Sequence, residues 1–296
     1  MAKSILFEPV ESPYLVDAEL KIRKAPTTPP DGAAKKRENN DALAAEIDKL
    51  AKLQGKLYAD DRYAVLLIFQ ALDAAGKDGT IRAVMSGVNP QGCQVYAFKE
   101  PSHEELDHDF LWRVQRDLPE RGRIGIFNRS HYEEVLAVRV HPEFLDRQRL
   151  PRRPKDLADL WQERCESIVE AERHWARNGV VVLKFFLNVS QKEQHRRFLD
   201  RIVDPDDNWK FSANDYRESQ RWDDYMDAYQ DALRATSKPW APWYAIPADS
   251  KSFMRRAVAE IIVGTLSQLP IDYPQASEEQ KAEMTKVKRA LEAERQ

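Results

Sequence analysis

Residues Tyr63–Phe69, YAVLLIF, run directly into Gln70-Ala71-Leu72-Asp73-Ala74-Ala75-Gly76-Lys77-Asp78-Gly79-Thr80. The first part is a short, unbroken apolar run with β-branched and aromatic content, the pattern of a strand covered on both faces. The second carries two glycines and a lysine ahead of a helical pattern over Lys77–Ser86. Strand, glycine-bearing turn and helix in that order gather backbone N–H groups and a positive dipole end at one spot, which is an anion site. The phosphate-loop pattern G-x-x-x-x-G-K-[ST] is met at Gly76 and Lys77, with Ala71 for its first glycine and Asp78 for its Ser/Thr. Gly76 and Gly79 would let the backbone curl close to phosphate oxygens, and Lys77 would set a point charge beside them. A plain strand-to-helix turn with an exposed lysine has the same outline. Asp73 is what such a turn does not need. A carboxylate repels bare phosphate, so it makes sense as a Mg²⁺ ligand, direct or through water, or as a turn aspartate bonding its own backbone.

Outward from this loop the pattern repeats. Apolar runs at Gln94–Phe98, Ile124–Phe127, Val180–Leu187 and Trp243–Ile246 alternate with helical stretches at His103–Arg116, Leu157–Arg177 and Phe253–Leu266. That alternation predicts an α/β fold, a mostly parallel sheet flanked by helices. Leu43, Ile47, Leu50, Leu53 and Leu57 fall at helical spacing over Asn39–Tyr58, after a Pro-containing linker at 24–38. Ser190–Arg234 breaks the alternation: it is long, charged, helical and interrupted at DPDDNW, which suits a lid or an exposed helical hairpin. The organisation expected is an arm, linker and helix over 1–60, a phosphate-loop domain over 61–270 with its lid about 190–235, and a surface helix over 271–296.

The chain of 296 residues is 42% hydrophobic and 32% charged with a net charge of −3, so a sizeable core is possible and any polyanion must be met by local positive charge. Such a bias exists from Arg113 to Lys155, where 11 basic residues face 6 acidic ones. A solvated surface would give the same count. Two cysteines without a C-x-x-C pair make no disulfide framework. Neither a leader-like segment nor a run of ~20 apolar residues is present, so a cytoplasmic location and no membrane partner are expected. The 6 histidines include no H-E-x-x-H, which argues against zinc. No G-x-S-x-G elbow appears, and the net acidic chain lacks aromatic-and-basic motifs, so serine hydrolysis and a nucleic-acid partner are not expected.

The third apolar run delivers Asn128 and Arg129, followed by Ser130-His131-Tyr132-Glu133-Glu134. A strand end beside a phosphate loop commonly offers an aspartate toward the metal. The neutral Asn128 would hold a metal-bound water, and Arg129 would neutralise charge on a transferring phosphoryl group or pair with Glu133 or Glu134. In the helical excursion Lys192, Arg196, Arg197, Arg201 and Lys210 could fold over the site and exclude water, the competing acceptor.

At FQALDAAGKDGTIRAVMSGVNPQG (69–92), FNRSHYEEVLAVRVHP (127–142), DPDDNWKFSANDYRESQRWDDYMDAYQDAL (204–233) and SKPWAPWYAIPADSK (237–251) the sequence resembles the polyphosphate kinase type 2 family. The resemblance implies a phosphate-loop kinase fold with a helical lid, Mg²⁺ dependence, and phosphoryl transfer between inorganic polyphosphate and nucleotides. Ala71 and Asp78 look like that family's own form of the loop. Asp73 and Lys77 then match its loop pair, Asn128 and Arg129 its strand-end pair, and Arg197 its lid arginine. Ala74, Ala75, Gly76, Asp78, Gly79, Thr80, Arg82, Glu133, Arg201 and Lys210 would contact phosphate or substrate, with Asp73 and Asn128 toward the metal. The segment SHYEEVL is similar to the subgroup that phosphorylates AMP and ADP, with guanine nucleotides left open, and members are commonly homo-oligomers. An ATP-dependent nucleoside monophosphate kinase and a non-catalytic nucleotide- or polyphosphate-binding protein are the competing readings.

Overall fold

A computed structural model describes residues 6–294. Its centre is a five-stranded, wholly parallel sheet in the order β2-β3-β1-β4-β5. The strands are β1 (Ala64–Gln70), β2 (Cys93–Ala97), β3 (Ile124–Asn128), β4 (Val180–Asn188) and β5 (Trp243–Pro247). Each lies within a residue or so of its apolar run. β1 sits in the middle, buried at every position, which is why its sequence shows no polar alternation. Its side chains still alternate between two cores. Val65, Leu67 and Phe69 face one core with Leu50, Leu57, Met254 and Ile262. Leu66 and Ile68 face the other with Ile168, Trp175, Leu233 and Trp243.

The helices are α1 (Lys36–Asp60), α2 (Lys77–Val84), α3 (His103–Leu106), α4 (Trp112–Gln115), α5 (Ala137–Val140), α6 (Leu157–Arg177), α7 (Gln191–Val203), α8 (Ala213–Ser219), α9 (Trp222–Thr236), α10 (Lys251–Leu266) and α11 (Glu278–Ala293). α1, α2 and α10 cover the first face, α6 and α9 the second. The single helix expected over His103–Arg116 is instead two single turns, α3 and α4. Asp109 accepts from the Leu111 backbone N–H at 2.9 Å, a local turn that competes with helix continuation. The excursion over Ser190–Arg234 consists of α7, α8 and α9, with a 3₁₀ turn at Asn208–Lys210 in the DPDDNW break. No described helix is long and apolar enough to cross a membrane.

The amino-terminal arm is stitched to the core. Leu15 bridges Tyr244 antiparallel, the Val16 N–H donates to Trp243 O at 2.9 Å, and the Ala245 N–H donates to Tyr14 O at 2.8 Å. The segment after it crosses the strand tips, where Asn188 Nδ2 donates to Ala25 O (3.2 Å) and Pro26 O (3.1 Å). Because all strands run the same way, every carboxyl end opens on one side of the sheet, where crevices form in such folds.

Candidate active site

Three strand ends meet on that side: Gln70 of β1, Asn128 of β3 and Asn188 of β4. After Gln70 the chain makes a turn that ordinary residues avoid. Ala74 has φ 58° and Gly76 φ 104°, and Gly76 caps α2 from the left-handed region, where a side chain would be strained. A Cβ at Gly76 would also sit 3.4 Å from Met254 Cε. Lys77 opens the helix and folds back over the loop, donating to Ala71 O at 2.7 Å and Leu72 O at 3.4 Å. Burial, then the Arg129 charge, draws its ammonium pKa down to about 8, against the opposing pull of Asp73, Glu133 and Asp78.

Arg129 crosses from β3 to the loop. Its Nη2 donates to Asp73 Oδ1 at 2.5 Å and its Nη1 to Glu133 Oε2 at 3.4 Å. Glu133, and then Asp73, raise the guanidinium pKa above its ordinary value. Of the two readings left open for Arg129, the ion pair with Glu133 is present, and the guanidinium also stands beside Lys77 at the loop. Arg129 itself has φ 61°, a second non-glycine residue in the left-handed region, pinned by its N–H on Phe69 O at 3.0 Å. The Gln70 amide, with its oxygen accepting from the Ser130 N–H at 3.1 Å, donates to Glu133 Oε1 at 3.0 Å. Beneath β1 and β3, polar contacts thus fix both the arginine and its carboxylate partner.

Several expected site residues spend their side chains on other protein contacts. Asn128 Nδ2 donates to Asp78 Oδ1 at 2.5 Å, so it braces the start of α2. Thr80 is fully buried and its hydroxyl donates to Gly76 O at 2.9 Å, which turns it from the loop mouth into the helix. Arg201 pairs with Asp215 at 3.0 Å, and Lys210 pairs with Asp207 at 2.5 Å and lies over the Trp209 ring. Lys192 and Arg196 are exposed on α7, and Arg196 pairs with Glu193 and Asp200.

Arg197 reaches the loop from α7 but is not free to act on a ligand in this conformation. It is buried, and every guanidinium N–H is spent. Nε donates to Glu193 (2.8 Å), Nη1 to Ala74 O (3.1 Å) and Ala75 O (2.7 Å), and Nη2 to Ala248 O (2.6 Å) and Asp249 O (3.3 Å). Gln194 adds a bond to Asp73 O at 3.0 Å. The first helix of the excursion is thereby fastened to the β1–α2 loop and to the β5–α10 turn.

Two surfaces of unlike character flank the loop. On the Arg129 side opens a cleft of about 600 Å³, with Asp73, Arg129 and Glu133 at its base and Phe98, Phe110, Phe144 and Tyr225 in its walls. Burial, then Asp73, raises the pKa of Asp215 on its rim. On the α10 side lie Lys251 and Arg255, whose pKa values fall through burial and then through neighbouring arginines: Arg197 ahead of Arg255 and Arg196 for Lys251, Arg82 ahead of Arg197 for Arg255. A Cβ at Gly79 would sit 3.2 Å from Arg255 Nη2. Sequence reading missed Lys251 and Arg255. They follow the last strand of a parallel sheet, so they share the side of the loop, and topology was the signal that could have found them.

The Arg113–Lys155 cluster, in contrast, is mostly neutralised. Arg123, Arg139, Arg147, Arg149, Arg152 and Arg153 each pair with a carboxylate. Arg164 of α6 pairs with buried Glu134 at 2.8 Å and ties this region to the Arg129 segment.

A bound Mg²⁺ was expected here. Among the described residues no group of three or more His, Cys, Asp or Glu could hold a metal alone. A hydrated Mg²⁺ shared with phosphate oxygens asks for only one or two carboxylates. Asp73 fits that requirement: it is partly exposed, Arg129 takes its Oδ1, and its Oδ2 has no protein partner among the described residues.

Comparison with known proteins gives this geometry a setting. The family model described as polyphosphate kinase 2 matches residues 33–274. The chain is 52% identical over 256 residues to an ADP-polyphosphate phosphotransferase of Rhodopseudomonas palustris, covering 86% of this chain and 89% of that one. It is 44% identical over 235 residues to an AMP/ADP-polyphosphate phosphotransferase of Meiothermus ruber, covering 79% and 84%. Its fold is similar to the crystal structure of polyphosphate kinase 2 from Arthrobacter aurescens TC1, with a TM-score of 0.86, 36% identity, and coverage of 96% and 97%. A looped lysine, a carboxylate-held arginine and a parallel sheet placing both at its carboxyl edge belong, with these likenesses, to one assignment: the chain is a member of the polyphosphate kinase 2 family.

Proposed function

We propose that this protein transfers the terminal phosphoryl group of inorganic polyphosphate to AMP or ADP, reversibly and with Mg²⁺. One observation carries the reading: Lys77, Asp73 and Arg129 converge between an aromatic-walled cleft and a band of cations. The cleft, at about 600 Å³, suits a nucleotide, since pockets for such ligands run ~300–1,000 Å³. The band of Arg82, Lys251 and Arg255 suits an extended polyanion that offers no base to recognise. Polyphosphate would lie along the band with its end at the loop amides, and the nucleotide would bring its terminal oxygen in line from the cleft.

Transition-state charge spreads over the equatorial oxygens of the transferring group. Lys77 and Arg129 are the side chains positioned to stabilise it, and Arg129 would exchange part of its bond to Asp73 for one to phosphate. Mg²⁺ held at Asp73 would supply further charge neutralisation between donor and acceptor. The acceptor phosphate has a second pKa near ~6 and is largely ionised at neutral pH, so the chemistry needs no general base. Helices α7–α9 serve as the lid, with Arg197 as its anchor.

Polyphosphate, Mg²⁺ and AMP incubated without ATP should yield ADP and then ATP. An ATP-dependent monophosphate kinase gives no product under those conditions, and a binding protein gives none under any. Running ADP, GMP and GDP in parallel settles the acceptor range.

A further inference from the structure

Beneath Arg129 the core contains a charge that packing alone does not call for. Lys184 of β4 and Glu172 of α6 both have fully buried side chains and meet at 2.5 Å. Lys184 Nζ also donates to Tyr132 Oη (2.8 Å) and to Thr236 O at the end of α9 (2.9 Å). Tyr132 Oη in turn donates to Glu172 Oε1 at 2.8 Å. Trp243 packs edge-on to the Tyr132 ring, with centroids 4.8 Å apart. A buried ion pair of this kind is seldom more stabilising than apolar packing of the same shape, because both ions lose their hydration. What it does supply is a fixed arrangement of the elements it joins. Here these are β4, α6, α9 and the segment that carries Arg129.

That segment needs fixing. Arg129 occupies φ 61°, and such strain persists only where the surroundings over-determine it. Ser130 accepts from the Tyr132 N–H at 3.2 Å, and Tyr132, fully buried, lies three residues from Arg129 and next to Glu133. We propose that the Lys184–Glu172–Tyr132 hub is a positioning device that holds the strained Arg129 hook, and with it Glu133, in the geometry that phosphoryl transfer requires. None of the three touches substrate; each acts through Arg129. The proposal rests on the phosphotransfer reading above.

Tyr132→Phe is the test variant, because it removes one oxygen and keeps the ring. In the native background it should lower kcat about tenfold and leave KM for AMP and for polyphosphate within about threefold, in line with the cost of a small misplacement of a catalytic group. In an Arg129→Ala background it should cause no further loss, since the group it positions is already gone. The paired replacement Lys184→Met with Glu172→Gln should behave in the same way. Tyr132→Phe with native kcat overturns the proposal, and so do losses that multiply in the Arg129→Ala background. Should the paired variant fail to fold, the Tyr132→Phe cycle decides alone. Turnover of AMP by the native protein with polyphosphate and Mg²⁺, measured alongside the variants, shows that the underlying reading stands, so its failure would be seen separately.

Discussion

At the scale of single residues the proposed site brings together two cations in unlike states. Arg129 is held charged by Glu133 and Asp73, whereas Lys77 has its pKa drawn down to about 8. Losing one preorganised charge of this type costs about 100–1000-fold in rate. Lys77→Ala and Arg129→Ala should each lower kcat by that order while circular dichroism and Tm stay near native; either variant keeping more than half the activity would refute its role. The depressed pKa gives Lys77 a pH signature. A lysine with an ordinary pKa of 10.5 stays charged throughout the neutral and mildly alkaline range, but this one loses its proton as pH rises through about 8. Because kcat/KM reports the free enzyme, kcat/KM for polyphosphate should fall above about pH 8. Lys77→Arg keeps its charge at every pH in that range, so its profile should stay flat to about pH 10. A native profile that is itself flat to pH 10 would mean Lys77 is not the charge that matters.

Among the elements, α7 carries the most consequence, and its role was the least legible beforehand. The basic residues of the excursion read in the sequence as one set poised over a phosphate. In the folded chain they separate. Arg196 and Lys210 pair with carboxylates at the surface, Arg201 holds Asp215, and only Arg197 turns inward, onto four backbone carbonyls. Charge pattern shows which face of a helix is polar, but which arginine meets a carbonyl cluster depends on where distant turns arrive, here residues 74–75 and 248–249. The strands were legible for the opposite reason: YAVLLIF and VVVLKFFL owe their character to burial on both faces, a local pattern with one outcome. The expected helix over His103–Arg116 failed at Asp109, where a short side chain bonds the backbone two residues on. Because Arg197 joins three elements, Arg197→Met should destabilise by about 3 kcal/mol or more, the range seen when a buried charged group loses its partners. Hydrogen exchange should rise together at Ala74–Gly76 and along α7. A Tm within a degree of native would show that the clamp is not holding them.

For the whole molecule, the question is how a chain of net charge −3 attracts a polyanion. The basic stretch from Arg113 to Lys155, which stood out in the sequence, is largely cancelled by ion pairs once folded. Lys251 and Arg255 looked unremarkable in sequence, yet they sit on the loop's α10 side, and burial and then neighbouring arginines draw both pKa values down, Arg197 ahead of Arg255 for Lys251 and Arg82 ahead of Arg197 for Arg255, the mark of cations gathered without enough carboxylate. Attraction therefore comes from a local field, and exposed charges are screened within a Debye length of ~10 Å at 0.1 M salt. Two consequences follow from the separation of this band from the cleft. Raising salt from about 50 to about 300 mM should increase KM for long polyphosphate several-fold more than KM for AMP. The charge reversals Lys251→Glu and Arg255→Glu, away from the transferring group, should together raise KM for polyphosphate by at least tenfold, with KM for AMP changed less than about twofold. If both KM values rise in step, the two substrates share one surface and the division between band and cleft is wrong. If only the AMP value rises, the two have been assigned to the wrong sides of the loop.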